Sequence, residues 1–310
     1  MAALVHRAGQ DPLAEVRDWL TRPALHELVE MFGGRPPAEC QGGLRERLTA
    51  LEAFSEVWDR RKGGSRLTIA QDDRTLPVDK ILFCAQQLGM IESGVVTGGH
   101  YDYALVLGGL STGCRSRTEY AANLLAQGAF TASDICFLGS FRALMDGEFA
   151  DAREFAPNTT TEVAMLRALA DAEFPSASPW QITVDGRPEE DPRHAQLCGE
   201  RSGMPRLRLY AARSSDPGRN ANTADTYRQF ARDVRLDGAR VLLVTTHIYA
   251  PYQHLDAVRI LGVPYRSEIE TIGTPPHLSR RDFDATWYLQ ELRSIIRAAL
   301  ALVTEYEAKE

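Results

Sequence analysis

The sequence predicts an α/β protein: a Rossmann-like, doubly wound, mostly parallel sheet with a helical N-terminal region and a long C-terminal helix. Three observations carry that reading. Short apolar runs beyond residue 95 end at small residues, each is followed by a stretch of helical period, and the first 95 residues are helical in pattern throughout. At 310 residues, with 44% hydrophobic and 25% charged side chains, the chain can bury a full core.

The N-terminal region, residues 1–95, reads as helices packed on the main domain. Leu13, Val16, Trp19 and Leu20, then Leu25, Leu28, Val29 and Phe32, fall at helical spacing, and the turn at 33–37 interrupts them. A helix follows over 44–58, ended by Arg60-Arg61-Lys62-Gly63-Gly64. Another covers 77–91, with Val78, Ile81, Leu82, Ala85 and Leu88 on one stripe.

The main domain, residues 96–310, supplies the alternation. Strands are expected at 103–107, 134–138, 207–211 and 240–244, followed by helices over 117–127, from near Thr161, over 223–234 and over 251–261. Strands this apolar belong in a sheet covered on both faces, hence a parallel one at its centre. Residues 174–205, rich in Pro and charge, read as an irregular insertion with a short hairpin near Asp185-Gly186. The tail from Phe283 reads as one long helix, its apolar side packing on its own domain or, alternatively, forming a homodimer contact.

Composition narrows the function classes. The net charge of −7 sets up no general attraction for nucleic acid or an anionic membrane face. No apolar stretch approaches the roughly 20 residues of a membrane span, and the N-terminus lacks a signal core. The five cysteines are scattered and show no metal-ligand spacing, which fits a reducing cytoplasm and no metal site.

In open α/β sheets, ligands bind where loops leave the carboxyl ends of strands. Gly108 and Gly109 open the first such loop, where backbone amides can approach an anion closely. It is neither a Walker A loop nor a GxGxxG fingerprint. Arg115 and Arg117 fall at the expected start of the next helix, where a cation opposes the dipole unless an anion is bound. Cys114 has no assignable base. Gly139 and Ser140 open the second loop, which ends at Thr161 and Glu162; Thr159 and Glu162 have capping-box spacing, and Glu162 is a candidate base or hydroxyl acceptor. The third loop carries Arg213, then Asn222 and Thr223 as helix caps and Asp225 on the first turn. The fourth presents Thr246, His247, Tyr249 and Tyr252. Glu162, Asp225 and His247 are thus the acid/base candidates, and the arginines the anion clamps.

Four pieces together resemble the domain-of-unknown-function family of the YdcF, SanA and ElyC type over residues 101–273. They are Gly108-Gly109 with Arg115 or Arg117, residues 161–165, residues 222–226, and Val244-Thr245-Thr246. The resemblance implies a Rossmann-like fold and S-adenosylmethionine as a ligand. This chain departs from the family pattern at Asp225-Thr226, where Glu-Asn is usual, and at Tyr249 and Tyr252, where His and Arg are usual.

The function expected from the sequence is an enzyme of small-molecule metabolism, a transferase or hydrolase working without a metal. It would bind a nucleotide-like or phosphorylated anion at the sheet's C-terminal edge. The alternative is a non-catalytic ligand-binding or regulatory protein of the same fold.

Overall fold

A computed structural model describes residues 3–59, 76–92 and 94–309. The chain opens with strand β1 (Leu4–His6), followed by helices α1 (Ala14–Leu20), α2 (Pro23–Met31), α3 (Leu44–Phe54) and α4 (Val78–Gln87). Helix α3 tightens into a 3₁₀ turn at Ser55–Trp58, and the stop expected at 60–64 lies outside the described residues. The main sequence of elements is then β2 (His100–Leu107), α5 (Ser111–Ala126), β3 (Thr131–Gly139), α6 (Asp146–Ala152) and α7 (Glu162–Glu173). Strands β4 (Gln181–Asp185), β5 (Gln196–Arg201) and β6 (Arg206–Ala211) come next, then α8 (Thr223–Asp233), β7 (Arg240–Thr246) and α9 (Ala250–Ala257). The one-turn α10 (Val263–Tyr265), strand β8 (Glu268–Thr274) and α11 (Ala285–Glu307) complete the chain.

The eight strands among the described residues form one mixed sheet in the order β1-β8-β7-β2-β3-β6-β5-β4. The five inner strands β8, β7, β2, β3 and β6 are parallel, whereas β1, β5 and β4 pair antiparallel at the two edges. The four strands expected from the apolar runs are neighbours within it. Apolar side chains of β2, β3 and β7 alternate between two cores, one with α1 to α4, α8, α9 and α11 and the other with α5 and α7. Burial on both faces is why these strands read as continuous apolar runs rather than as an alternating pattern.

Several boundaries differ from the sequence reading. The N-terminal region is not helical alone, because β1 adds a strand beside β8. Residues 181–201, read as part of an irregular insertion with a short hairpin near Asp185-Gly186, form the β4–β5 hairpin, which extends the sheet. Strand β8 was not expected, since Glu268 and Glu270 interrupt its apolar pattern; Glu270 is nevertheless buried, accepting from Thr97 N (2.6 Å) and Tyr101 Oη (2.7 Å). Helix α5 starts at Ser111 instead of near Arg117. Helix α11 buries Trp287, Leu292, Ile296 and Val303 against its own chain, the first of the two placements expected for its apolar side.

Candidate functional site

A cleft of about 320 Å³ opens at the C-terminal edge of β2 and β3. Gly108, Gly109, Gly139, Ser140, Arg142, Glu162, Asn222 and Thr223 line it, with Leu107, Leu110, Leu138 and Met145 as its apolar wall. It straddles the sheet edge, with α5 and α7 on one side and α8 on the other. The N-terminal ends of these three helices border it at Leu110, Glu162 and Asn222. Each end presents the positive pole of its dipole, although the first amides of α7 are already bonded to Arg142 O (2.9 Å), Ser140 O (3.1 Å) and Thr161 Oγ1 (3.4 Å).

Gly108 has to be glycine. A Cβ there would lie 2.5 Å from Leu138 O and 2.6 Å from Glu162 Oε1. That close approach lets the Glu162 carboxylate sit directly over the loop. Glu162 is the first residue of α7, whose N-cap is Thr161, with Oγ1 accepting from Ala164 N at 3.4 Å. The Thr159–Glu162 capping box expected from spacing does not form. The Glu162 side chain turns instead to Ser140, accepting at Oε2 from its amide (3.1 Å) and hydroxyl (2.6 Å).

Arg142, which the sequence reading did not single out, supplies the cleft's cation. It grips Glu148 through two bonds (2.6 and 3.0 Å), donates to Gly109 O (2.9 Å), and brings Nε to 3.9 Å from Glu162. Glu148 also accepts from the Ser111 amide, tying α6 to the start of α5. The signal available in sequence was position: Arg142 follows Ser140 by two residues in a loop already marked as a ligand loop.

Behind the glycine loop lies Arg117. Its side chain runs back toward the start of α5 and donates to Leu107 O (2.7 Å), Gly108 O and Thr246 Oγ1 (3.0 Å). Arg117 is 2% exposed, and among the described residues no carboxylate pairs with it. Cys114 sits between these charges, fully enclosed; burial and the Glu162 charge push its thiol up to about 12, so it is no thiolate nucleophile.

The Rv3785 N-terminal domain model matches residues 5–89. The uncharacterized protein Rv3785 of Mycobacterium tuberculosis (strain ATCC 25618 / H37Rv) is 32% identical over 343 aligned positions, spanning 97% of this chain and 93% of the relative. The uncharacterized protein Mb3814 of Mycobacterium bovis matches to the same extent. The chain belongs to the Rv3785 family. No solved structure matches it. Membership of the Rv3785 family corrects the YdcF, SanA and ElyC resemblance, whose short motifs coincide with positions that any loop at a parallel-strand edge tends to fill with Gly, Thr, Asn and acid.

In this Rv3785-family chain the remaining singled-out residues lie away from the cleft. Arg115 is on the second turn of α5, bound to Glu119 (2.9 Å) and Glu154 (3.0 Å), so protein carboxylates supply the partners it was expected to lack. Arg213 pairs with Asp185 at 2.9 Å. Asp225 forms a capping box with Asn222 and pairs with Arg219 at 2.6 Å. Burial acts to raise the Asp225 carboxyl, but the Arg219 bond and the Asn222 amide hold it below the ordinary range.

The fourth loop is closed. Thr246 meets Arg117, and Tyr249 stacks edge-on against Tyr252 (6.1 Å) and Phe283 (6.0 Å). His247 is buried, with Nδ1 at 3.1 Å from Thr274 O and Nε2 at 3.3 Å from Tyr288 Oη. Burial lowers the His247 pKa to about 4. Of the three acid/base candidates, only Glu162 lines the cleft. Among the described residues, no group of three His, Cys, Asp or Glu side chains is placed to hold a metal ion, and no helix is long and apolar enough to cross a membrane.

Proposed function

We propose that this protein binds a small phosphorylated, nucleotide-like anion in the cleft and transfers or hydrolyses a group on it, with Glu162 as the proton acceptor. The observation that carries the reading is the convergence, in one cleft, of a glycine loop, three helix N-termini and a buried carboxylate with an open oxygen. Helix N-termini are ready-made anion sites. The buried Arg117 charge strengthens the field, since it stands at the positive end of α5 with no carboxylate to offset it.

The proposal extends to the fold. Taken in chain order, the five parallel strands run 3-2-1-4-5, the arrangement of a Rossmann-like doubly wound sheet, in which ligands lie beyond the carboxyl ends of the strands. At about 320 Å³ the cleft is at the small end of ligand pockets, which span roughly 300–1,000 Å³. That size suits a mononucleotide or sugar phosphate better than a dinucleotide. S-adenosylmethionine, which shares a ribose and an anionic group with this class, belongs among the ligands to titrate.

A second reading, binding without catalysis, is favoured by one observation: Asp225 and His247 do not join Glu162 in the cleft. Calorimetric titration with adenosine monophosphate, inorganic phosphate and S-adenosylmethionine tests the binding, and mass spectrometry of the incubated ligand separates turnover from storage. Arg117→Met removes the charge behind the glycine loop together with the donor to Leu107 O and Gly108 O; phosphate-bearing ligands should bind about tenfold more weakly, with folding checked by the thermal transition. Absence of binding by all three ligands at millimolar concentration would overturn the proposal.

A further inference from the structure

We infer that the cleft selects a ribose-type vicinal diol and that Glu162 is the residue that holds it. The inference rests on the reading of the cleft as an anion site and names the rest of the ligand.

It starts from the two oxygens of one carboxylate. The Glu162 side chain is 8% exposed. Its Oε2 is satisfied by the Ser140 amide and hydroxyl, with Arg142 Nε at 3.9 Å. Its Oε1 lies over Gly108, faces the cleft, and receives no hydrogen bond from the described residues. That oxygen is open to the cleft instead of sealed within the protein, so a ligand hydroxyl can take the place of water as its donor.

The surroundings decide which donor. An ammonium group would be repelled by Arg142 and Arg117 and by the positive ends of α5, α7 and α8. A hydroxyl donates without carrying charge, so it escapes that penalty. At the cleft mouth, Asn222 uses Oδ1 to accept from Asp225 N (3.1 Å), while its amide nitrogen finds no acceptor among the described residues. An acceptor-only oxygen and a spare donor match adjacent hydroxyls, one donating to Glu162 and the next accepting from Asn222. The anionic group of the same molecule then falls to the Gly109 amide and the first amides of α8, the Gly108 and Ser111 amides being bonded to Leu138 O (2.7 Å) and Glu148 (3.1 Å).

The experiment is a calorimetric comparison of ribose 5-phosphate, 2-deoxyribose 5-phosphate and inorganic phosphate on the full chain. Wild-type protein should bind the ribose sugar about ten- to a hundredfold more tightly than the deoxy sugar, which lacks one hydroxyl of the diol. Glu162→Gln, checked for folding by its thermal transition, should bring the two sugars within about threefold of each other. The wild-type comparison decides the matter even if that variant does not fold. Equal affinity for the two sugars, with inorganic phosphate still binding, overturns the diol assignment and leaves the anion cleft standing. No binding by any of the three overturns the anion cleft and the inference together.

Discussion

The loops after β2 and β7 leave the same edge of two neighbouring parallel strands, and they meet opposite fates. Residues 108–110 border an open cleft, while residues 247–252 are sealed beneath Phe283, Trp287 and Tyr288. Polarity of the loop does not decide which one stays open, because the sealed loop carries the hydroxyl, imidazole and phenols that look chemical in sequence. What decides it is whether a distant element arrives to cover the loop. Helix α11 and the segment before it do so on the β7 side, and Arg117 fills the gap between the two strands by bonding Gly108 O and Thr246 Oγ1 together.

The largest expected effect lies at Tyr252. If this ring is part of the sealed core, Tyr252→Ala removes a buried aromatic and should cost about 3–5 kcal/mol of stability, read by denaturant unfolding. Affinity for a ligand in the cleft should stay unchanged. Lost affinity with intact stability would place the ring at the ligand instead and erase the contrast between the two loops.

A somewhat smaller effect is expected from pH. His247 has an ordinary pKa of 6.5 when unfolded and about 4 when folded, because burial disfavours its charged form. The unfolded chain therefore binds the extra proton between those values. Stability from this group is complete above pH 6.5 and is lost as pH falls toward 4, by roughly 3 kcal/mol in total. Urea melts of wild type and His247→Asn over that range should show the shallower acid limb in the variant. Parallel curves would mean that the imidazole is not sealed.

How much of this was legible in the sequence depends on how local the cause is. The strands at 103–107, 134–138, 207–211 and 240–244 announce themselves because burial on both faces needs an unbroken apolar run. Strand β8 does not, because Glu270 is tolerated only through donors at Thr97 and Tyr101, some 170 positions away in the chain. The cleft was legible in outline: the rule that ligand loops follow parallel strands leads to Gly108, Ser140, Glu162 and Asn222. Arg142 was hidden because nothing in the sequence says that Glu148 will turn back to hold it. The fate of Tyr249 and Tyr252 was hidden because it is settled by Phe283 and α11, and the family pattern from which they depart lapsed with the resemblance.

The smallest expected effect separates the ring of Tyr252 from its hydroxyl. The ring packs against Tyr249, but its Oη is buried and finds no hydrogen-bond partner among the described residues. An unpaired buried hydroxyl is a cost carried by the folded state, so its removal returns desolvation energy while leaving the packing in place. Tyr252→Phe should therefore be neutral or more stable by up to about 1 kcal/mol, against the large loss expected for Tyr252→Ala. A ligand-facing phenol behaves in the opposite way: Phe would retain stability but weaken any ligand that the hydroxyl contacts. Unfolding and titration of the same two variants thus read the ring and the hydroxyl separately. A Tyr252→Phe protein that loses more than about 1 kcal/mol would reveal a partner for Oη and require the β7 side to be redrawn as a hydrogen-bonded site instead of a sealed one.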